Sequence, residues 1–183
     1  MWNDYPTLDD YDESEFIIDG TVLKRYEGSS ACVQIPFGVT SFGKHAFYGC
    51  NTIESVEIPT SVTSIGGDNF AFCARLKSVV IPGSIQILDN AFSDCGLTSV
   101  KICDGVNEIG PDSFKGCFSL RRVELPSSLK AISEPAFDCC SNLTDIYYAG
   151  TKSDWEALKA KRLRKRVNKY CRVHLLNGDV IKP

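Results

Sequence analysis

Nine cysteines and two histidines are the side chains of this chain best suited to nucleophilic, redox or metal chemistry. Their spacing decides how much of that chemistry is open. A metal site needs ligands clustered in short-spaced motifs. The sequence contains no C-x-x-C, only the adjacent pair Cys139-Cys140, and its histidines, His45 and His174, lie far apart. Neither histidine has a serine or cysteine beside it in a nucleophile-elbow arrangement. No glycine loop of the phosphate-cradling kind is present, and Gly66-Gly67 reads as a turn. The expectation is a protein with no catalytic residues, no metal and no cofactor.

Five of the cysteines are periodic instead. Cys50, Cys73, Cys95, Cys117 and Cys140 follow one another at 23, 22, 22 and 23 residues. Phe47, Phe70, Phe92, Phe114 and Phe137 each stand three places before one of them. Pro36, Pro59, Pro82 and Pro126 keep the same step, and Cys103 occupies one proline slot. The shared pattern is L-x-x-V-x-I-P-x-x-V-x-x-I, a short polar turn, then A-F-x-x-C. A period of this length marks a repeat architecture with one coil per unit.

The elements that carry these residues follow from the pattern. In SVEIP-like stretches apolar and polar residues alternate, as in a strand with one buried face. Val56/Ile58, Val79/Ile81, Val100/Ile102, Val123/Leu125 and Ile146/Tyr148 are expected to point inward. Proline ends the strand because it cannot donate to the ladder. Val62/Ile65, Ile85/Leu88, Val106/Ile109 and Leu129/Ile132 then form the opposite wall. No coil buries its apolar face alone, so coils must stack. Stacking sets the column cysteines about 4.8 Å apart with parallel side chains. A disulfide wants Cβ atoms about 3.8 Å apart and turned toward each other. The column therefore reads as buried thiols behaving as small hydrophobes.

These motifs resemble the leucine-rich repeats of the BspA-like bacterial surface-protein family. The opening unit FIIDGTVLKRYEGSSACVQIPFGVTSFGKHAFYGC, the middle units and the closing stretch DIYYAGTKSDWEALK occur in the family's order, over residues 16–183. Asn69 departs from the small residue expected before phenylalanine, and Cys103 departs from proline. The resemblance implies a β-dominated solenoid and protein–protein contact, including adhesion to host proteins. It implies no shared catalytic residues.

The fold class expected is thus an α+β leucine-rich-repeat solenoid of about five to six coils of 22–23 residues. Residues 1–15 read as an acidic segment with the composition of a disordered tail. Residues 16–183 form the solenoid, with an N-terminal cap over 16–50 and a C-terminal cap over 141–183. In the first cap Phe16–Ile18 and Val22–Tyr26 pair around Asp19-Gly20. In the second, Ser153-Asp154-Trp155-Glu156 reads as a capping box that opens a helix to Arg166. Tyr170–Leu176, Asn177-Gly178 and Val180-Ile181 then make a closing hairpin.

Charge is uneven although the net is only -3. Residues 1–20 hold seven acidic and no basic side chains, and residues 159–172 hold eight basic and no acidic ones. Lys159, Arg162, Lys165, Arg166 and Lys169 form a candidate basic docking patch, with a solvated helix face as the simpler reading. Nucleic acid is disfavoured as a partner because no aromatic platform accompanies the charges. Outward strand positions offer a second candidate, a protein-binding surface of Glu57, Val80, Lys101, Arg122, Glu124, Asp145 and Tyr147. The C-terminal half is favoured there, since Tyr and Arg are enriched in hot spots. The start of the chain lacks the pattern of a secretory signal, and no apolar run reaches the length of about 18 residues that a membrane span needs. The expectation is a cytoplasmic protein-binding adaptor or inhibitor, with a cell-surface or secreted adhesin as the alternative if a signal has been removed.

Overall fold

Alternation in each coil produces one short strand, and the strands assemble as the period requires. The computed structural model describes residues 6–9, 11–158, 163 and 167–183. In chain order the strands are β1 (Phe16–Asp19), β2 (Val22–Tyr26), β3 (Cys32–Gln34), β4 (Ser41–Phe42), β5 (Ser55–Glu57), β6 (Ser78–Ile81) and β7 (Ile87–Leu88). They continue as β8 (Ser99–Ile102), β9 (Glu108–Ile109), β10 (Arg122–Leu125), β11 (Ala131–Ile132), β12 (Asp145–Tyr148), β13 (Arg172–Leu175) and β14 (Val180–Ile181). A long sheet runs β3-β5-β6-β8-β10-β12-β13-β14, parallel except for its last pair. Six coil strands, β3 to β12, stand in it side by side. The opposite wall is the short parallel sheet β7-β9-β11.

Every inward pair expected of the coil strands is buried, from Val56 and Ile58 to Ile146 and Tyr148. The opposite-wall residues are buried as well, except the half-buried Ile132. Between the two walls runs a column of phenylalanines. The rings of Phe47, Phe70, Phe92, Phe114 and Phe137 are fully buried and nearly parallel, at successive centroid distances of 4.7, 4.9, 5.8 and 5.2 Å. Tyr26 extends the column at 5.3 Å from Phe47. Each of the first four phenylalanine N–H groups donates to the next coil, as Phe92 does to the Ser113 carbonyl at 2.9 Å. Burying one such ring stabilises the fold by about 1.5–3 kcal/mol.

The cysteine column adds a polar element that periodicity does not reveal. The thiols of Cys73, Cys95, Cys117 and Cys140 donate to the carbonyls of Phe47, Phe70, Phe92 and Phe114 at 3.1, 2.8, 3.1 and 3.1 Å. Each thiol thereby ties its coil to the one before. All nine cysteines are free. Burial pushes the Cys50 thiol up to about 11 and the Cys117 thiol up to about 12. The Cys95 thiol is raised by the neighbouring Cys73 thiol and by burial. A raised thiol value means the folded state holds a proton that the unfolded chain releases near pH 8.5 or so. That stabilisation is complete below the unfolded value and is lost as pH rises through the folded one.

Two positions recur in the left-handed backbone region, one in all five coils of the phenylalanine column and one in the first four. Just before each column cysteine stand Gly49, Phe72, Asp94, Gly116 and Cys139, with φ of 68, 61, 55, 72 and 64°. Two places before each phenylalanine stand His45, Asp68, Asn90 and Asp112, also with positive φ. Asn and Asp tolerate this region better than other side chains. The fifth coil has Pro135 at the second position, and its ring forbids positive φ. That coil instead forms a 3-10 turn over Glu134–Phe137, which still delivers Phe137 to the column. The Gly66-Gly67 insertion is absorbed by Asn69. Its buried side chain accepts from the Gly66 N–H at 3.0 Å and donates to the Gly43 carbonyl at 2.6 Å.

At the ends three details differ from expectation. The first hairpin turns on Gly20-Thr21, because Asp19 pairs with Val22 and Gly20 takes φ of 60°. The helix α1 spans Lys152–Ala157, and its capping box is Thr151 with Asp154, two residues before the expected one. Thr151 N–H donates to Asp154 Oδ2 at 2.9 Å, and Asp154 N–H donates back to Thr151 Oγ1 at 3.2 Å. The earlier start lets Trp155 and Leu158 both bury, with Trp155 against Tyr148. The expected continuation to Arg166 falls largely outside the described residues. Last, β13 begins at Arg172, in register with Asp145, and Tyr170 is exposed.

Of the acidic N-terminal stretch, residues 6–9 and 11–15 make contacts that composition does not anticipate. Phe37 N–H donates to the Pro6 carbonyl at 2.7 Å, Leu8 packs over Gly38, and Tyr11 meets Phe16 edge-on at 6.4 Å.

Phe92→Ala is expected to cost about 3–5 kcal/mol in urea unfolding. Combined with Phe70→Ala it should be non-additive, whereas Phe47→Ala with Phe137→Ala should add to within about 0.5 kcal/mol. Cys139→Gly should raise stability by about 0.5–1 kcal/mol, relief of positive φ outweighing the added freedom of the unfolded chain. Gly49→Ala should lower it by a similar amount, since an added Cβ there meets no atom within 4 Å. Thiol labelling of the native protein at pH 8 should modify the exposed Cys32 and Cys139 first. Labelling of Cys117 or Cys140 before unfolding would contradict the buried column.

Candidate functional site

Outward residues of the long sheet alternate with the buried ones, so parallel register sets them in straight columns. Glu124 lies beside Lys101 on one flank and Tyr147 on the other, and Tyr147 lies beside His174. In the adjacent column Arg122 lies between Ser99 and Asp145, and Asp145 beside Arg172.

Side chains of the last strands lock together across these columns. The Arg122 guanidinium sits 3.8 Å above the Tyr147 ring centroid. Its Nε and Nη2 both donate to Glu124 Oε1 at 3.1 Å. The Tyr147 and His174 rings stack at 4.4 Å with 9° between planes. His174 Nε2 lies 2.7 Å from Asp145 Oδ1, and since an ionised carboxylate only accepts, the ring nitrogen donates. That bond is the main cause holding the Asp145 carboxyl below the usual aspartate value. An exposed ion pair by itself contributes little. Here stacking and hydrogen bonds hold Arg122, Tyr147 and His174 in one arrangement.

A groove of about 550 Å³ opens beside this stack, lined by Lys101, Asp104, Arg122, Glu124, Tyr147, His174 and Leu176 among others. Leu176 is 77% exposed. Asp104 accepts from the Ser127 hydroxyl and the Ser128 N–H, both at 3.3 Å. A second groove of about 420 Å³ lies at the other end of the sheet, among Pro6, Tyr11, Asp12, Glu15, Gln34 and Glu57.

The structure thus brings Lys101, Arg122, Glu124 and Tyr147 to one groove, with Asp145 joined through His174. It does not bring Glu57 or Val80 there. Glu57 lines the second groove and accepts from Gln34 Nε2 at 3.1 Å. Val80 is exposed on β6, between the two. Of the basic patch, Lys169 is exposed with its ammonium 4.9 Å from the Tyr170 ring centroid. Lys159, Arg162, Lys165 and Arg166 lie outside the described residues. His174 and Leu176 were not expected at the site. Their signal was the alternating stretch Val173-His174-Leu175, which continues the outward column by one more rung when read as a parallel strand. His45 stands elsewhere, 3.7 Å from Asp68 and against the Tyr48 ring. Among the described residues no three His, Cys, Asp or Glu side chains gather as a metal site. No helix among them is long and apolar enough to cross a membrane.

The repeat matches the family model described as BspA type leucine rich repeat region, in six copies over residues 26–90 and 84–157. No curated protein matches the sequence. Among solved structures the chain is similar to the Treponema pallidum leucine rich repeat protein, with 27% identity and a TM-score of 0.65. That match covers 75% of this chain and 70% of the other. A leucine-rich repeat protein from Bacteroides ovatus ATCC 8483 is 31% identical with a TM-score of 0.54, over 64% of this chain. The chain spans only 31% of that protein's length. A leucine rich cell surface protein from Faecalibacterium prausnitzii A2-165 is 25% identical with a TM-score of 0.43, over 75% of this chain and 54% of its own. The periodic sequence, the stacked coils and the matched repeats agree, and the chain belongs to the BspA-type leucine-rich-repeat family.

Proposed function

We propose that this chain is a non-enzymatic protein-binding module, and that its contact surface is the outward face of the long sheet at its C-terminal half. The observation that carries this reading is the pre-ordered Arg122–Tyr147–His174 stack beside an open groove with Leu176 exposed on its rim. Tyr and Arg dominate binding energy where they are anchored. Side chains already ordered in the free protein lose less entropy on association, by about 0.5–1.5 kcal/mol for each one. A stacked solenoid supplies the rigid backing that such a surface needs.

The favoured setting is an intracellular adaptor or inhibitor. Its support is the set of nine free cysteines, among them the exposed Cys32 and Cys139, which suits a reducing compartment. A surface adhesin would present the same face outside the cell. Recovery of the protein only from the cell wall or medium of its native host would reject the intracellular setting.

The test of the surface is affinity purification with paired variants. Arg122→Ala/Tyr147→Ala should lose the partner that the unaltered protein retains, while Glu57→Ala should keep it, with both variants melting near the parent temperature. Equal recovery by Arg122→Ala/Tyr147→Ala would place the contact elsewhere.

A further inference from the structure

The chemistry of the occupant can be argued from which charges in the groove are already engaged. Glu124 Oε1 is held by Arg122, and Asp104 Oδ1 accepts from Ser127 and Ser128. Asp145, behind the stack, is held by His174. Lys101 makes no ion pair among the described residues. The Arg122 guanidinium has five N–H donors, and Glu124 uses only its Nε and Nη2 edge. Its Nη1 is unpartnered among the described residues, and the group sits over the Tyr147 ring. Two cationic groups with open donors, the Lys101 ammonium and the Nη1 side of Arg122, therefore stand at the β8–β10 end, and a fixed guanidinium suits a carboxylate.

Geometry adds a second requirement. Leu176 follows β13, two strand spacings from β10 and three from β8. At about 4.8 Å per spacing this is about 10–14 Å. An extended peptide covers that span in four residues, and residues i and i+4 share a face. We propose that the groove binds an extended segment of a partner protein with a carboxylate side chain over Lys101 and Arg122 and an apolar side chain four residues away on the exposed Leu176. This rests on the surface proposed above.

The probe is a fluorescein-labelled nine-residue peptide with Glu at its third position and Leu at its seventh in a Ser/Thr background. Matched peptides carry Gln or Lys in place of Glu. Anisotropy with the full chain should show the Glu peptide binding about tenfold or more tighter than the Gln peptide, and weakening as salt rises. Lys101→Ala/Arg122→Ala should lose about tenfold or more, and Arg122→Lys several-fold, because the planar fork is gone. Melting temperatures near the parent value exclude unfolding as the cause. Equal binding of the Glu and Gln peptides, no change in the double variant, or no binding of the Glu peptide at millimolar concentration overturns the proposal. If Arg122→Ala/Tyr147→Ala still abolishes partner capture while the Glu and Gln peptides behave alike, the acidic motif fails and the surface stands. If that capture is unaffected, the surface itself fails. Concentration-dependent dimerisation that Arg122→Ala removes would place a second copy in the groove and equally overturn the peptide.

Discussion

Parallel stacking of the phenylalanine rings is the contact on which the rest of this molecule depends. A single coil is too thin to hide a ring from water, so each ring is covered by the coils before and after it. The four centroid spacings, 4.7–5.8 Å, are close to the distance between neighbouring strands. Ring column and sheet can therefore share one rise. The same rise sets the spacing of the outward columns. The Arg122–Tyr147–His174 stack is the surface counterpart of the buried one, built on the same rungs.

Coils need not be identical to deliver their ring. Asp68, Asn90 and Asp112 use the left-handed backbone region, while Pro135 cannot and gives a 3-10 turn. Asn69 replaces a small residue yet satisfies its buried amide through Gly66 and Gly43. Cys103 replaces a proline and its N–H donates to the Ile81 carbonyl at 2.9 Å, a bond no proline could make. These variations are tolerated because the constraint acts on ring position rather than on the backbone path that leads to it. Cysteine suits its column for a related reason. Its side chain is small enough to bury beside the rings, and its thiol reaches a carbonyl of the preceding coil.

The surface inherits rigidity from this interior. Arg and Tyr on a mobile loop would be ordered only on binding. On β10 and β12 their backbones belong to an eight-stranded sheet, and Glu124, His174 and Asp145 hold their side chains. The groove is lined by the C-terminal ends of β8, β10, β12 and β13 and the residues just after them.

Periodicity by itself determined much of this protein: the coil, the inward pairs, the phenylalanine column and the identity of the outward columns. Those properties are written in a period of 22 or 23 residues and in the alternation along each strand, both readable from the sequence alone. Tertiary structure alone decided which side chains meet between coils. The thiol-to-carbonyl bonds join residues 25 or 26 apart, and the Asp145–His174 bond joins residues 29 apart. The sequence points to a capping box of Ser153 with Glu156, whereas the fold forms one of Thr151 with Asp154, with Trp155 and Leu158 both buried. His174 reads as a lone histidine near the end of the chain and becomes part of a stack only when β13 adds to β12. Local pattern fixes where a side chain points, and only the stacking of coils brings residues so distant in sequence within hydrogen-bonding reach.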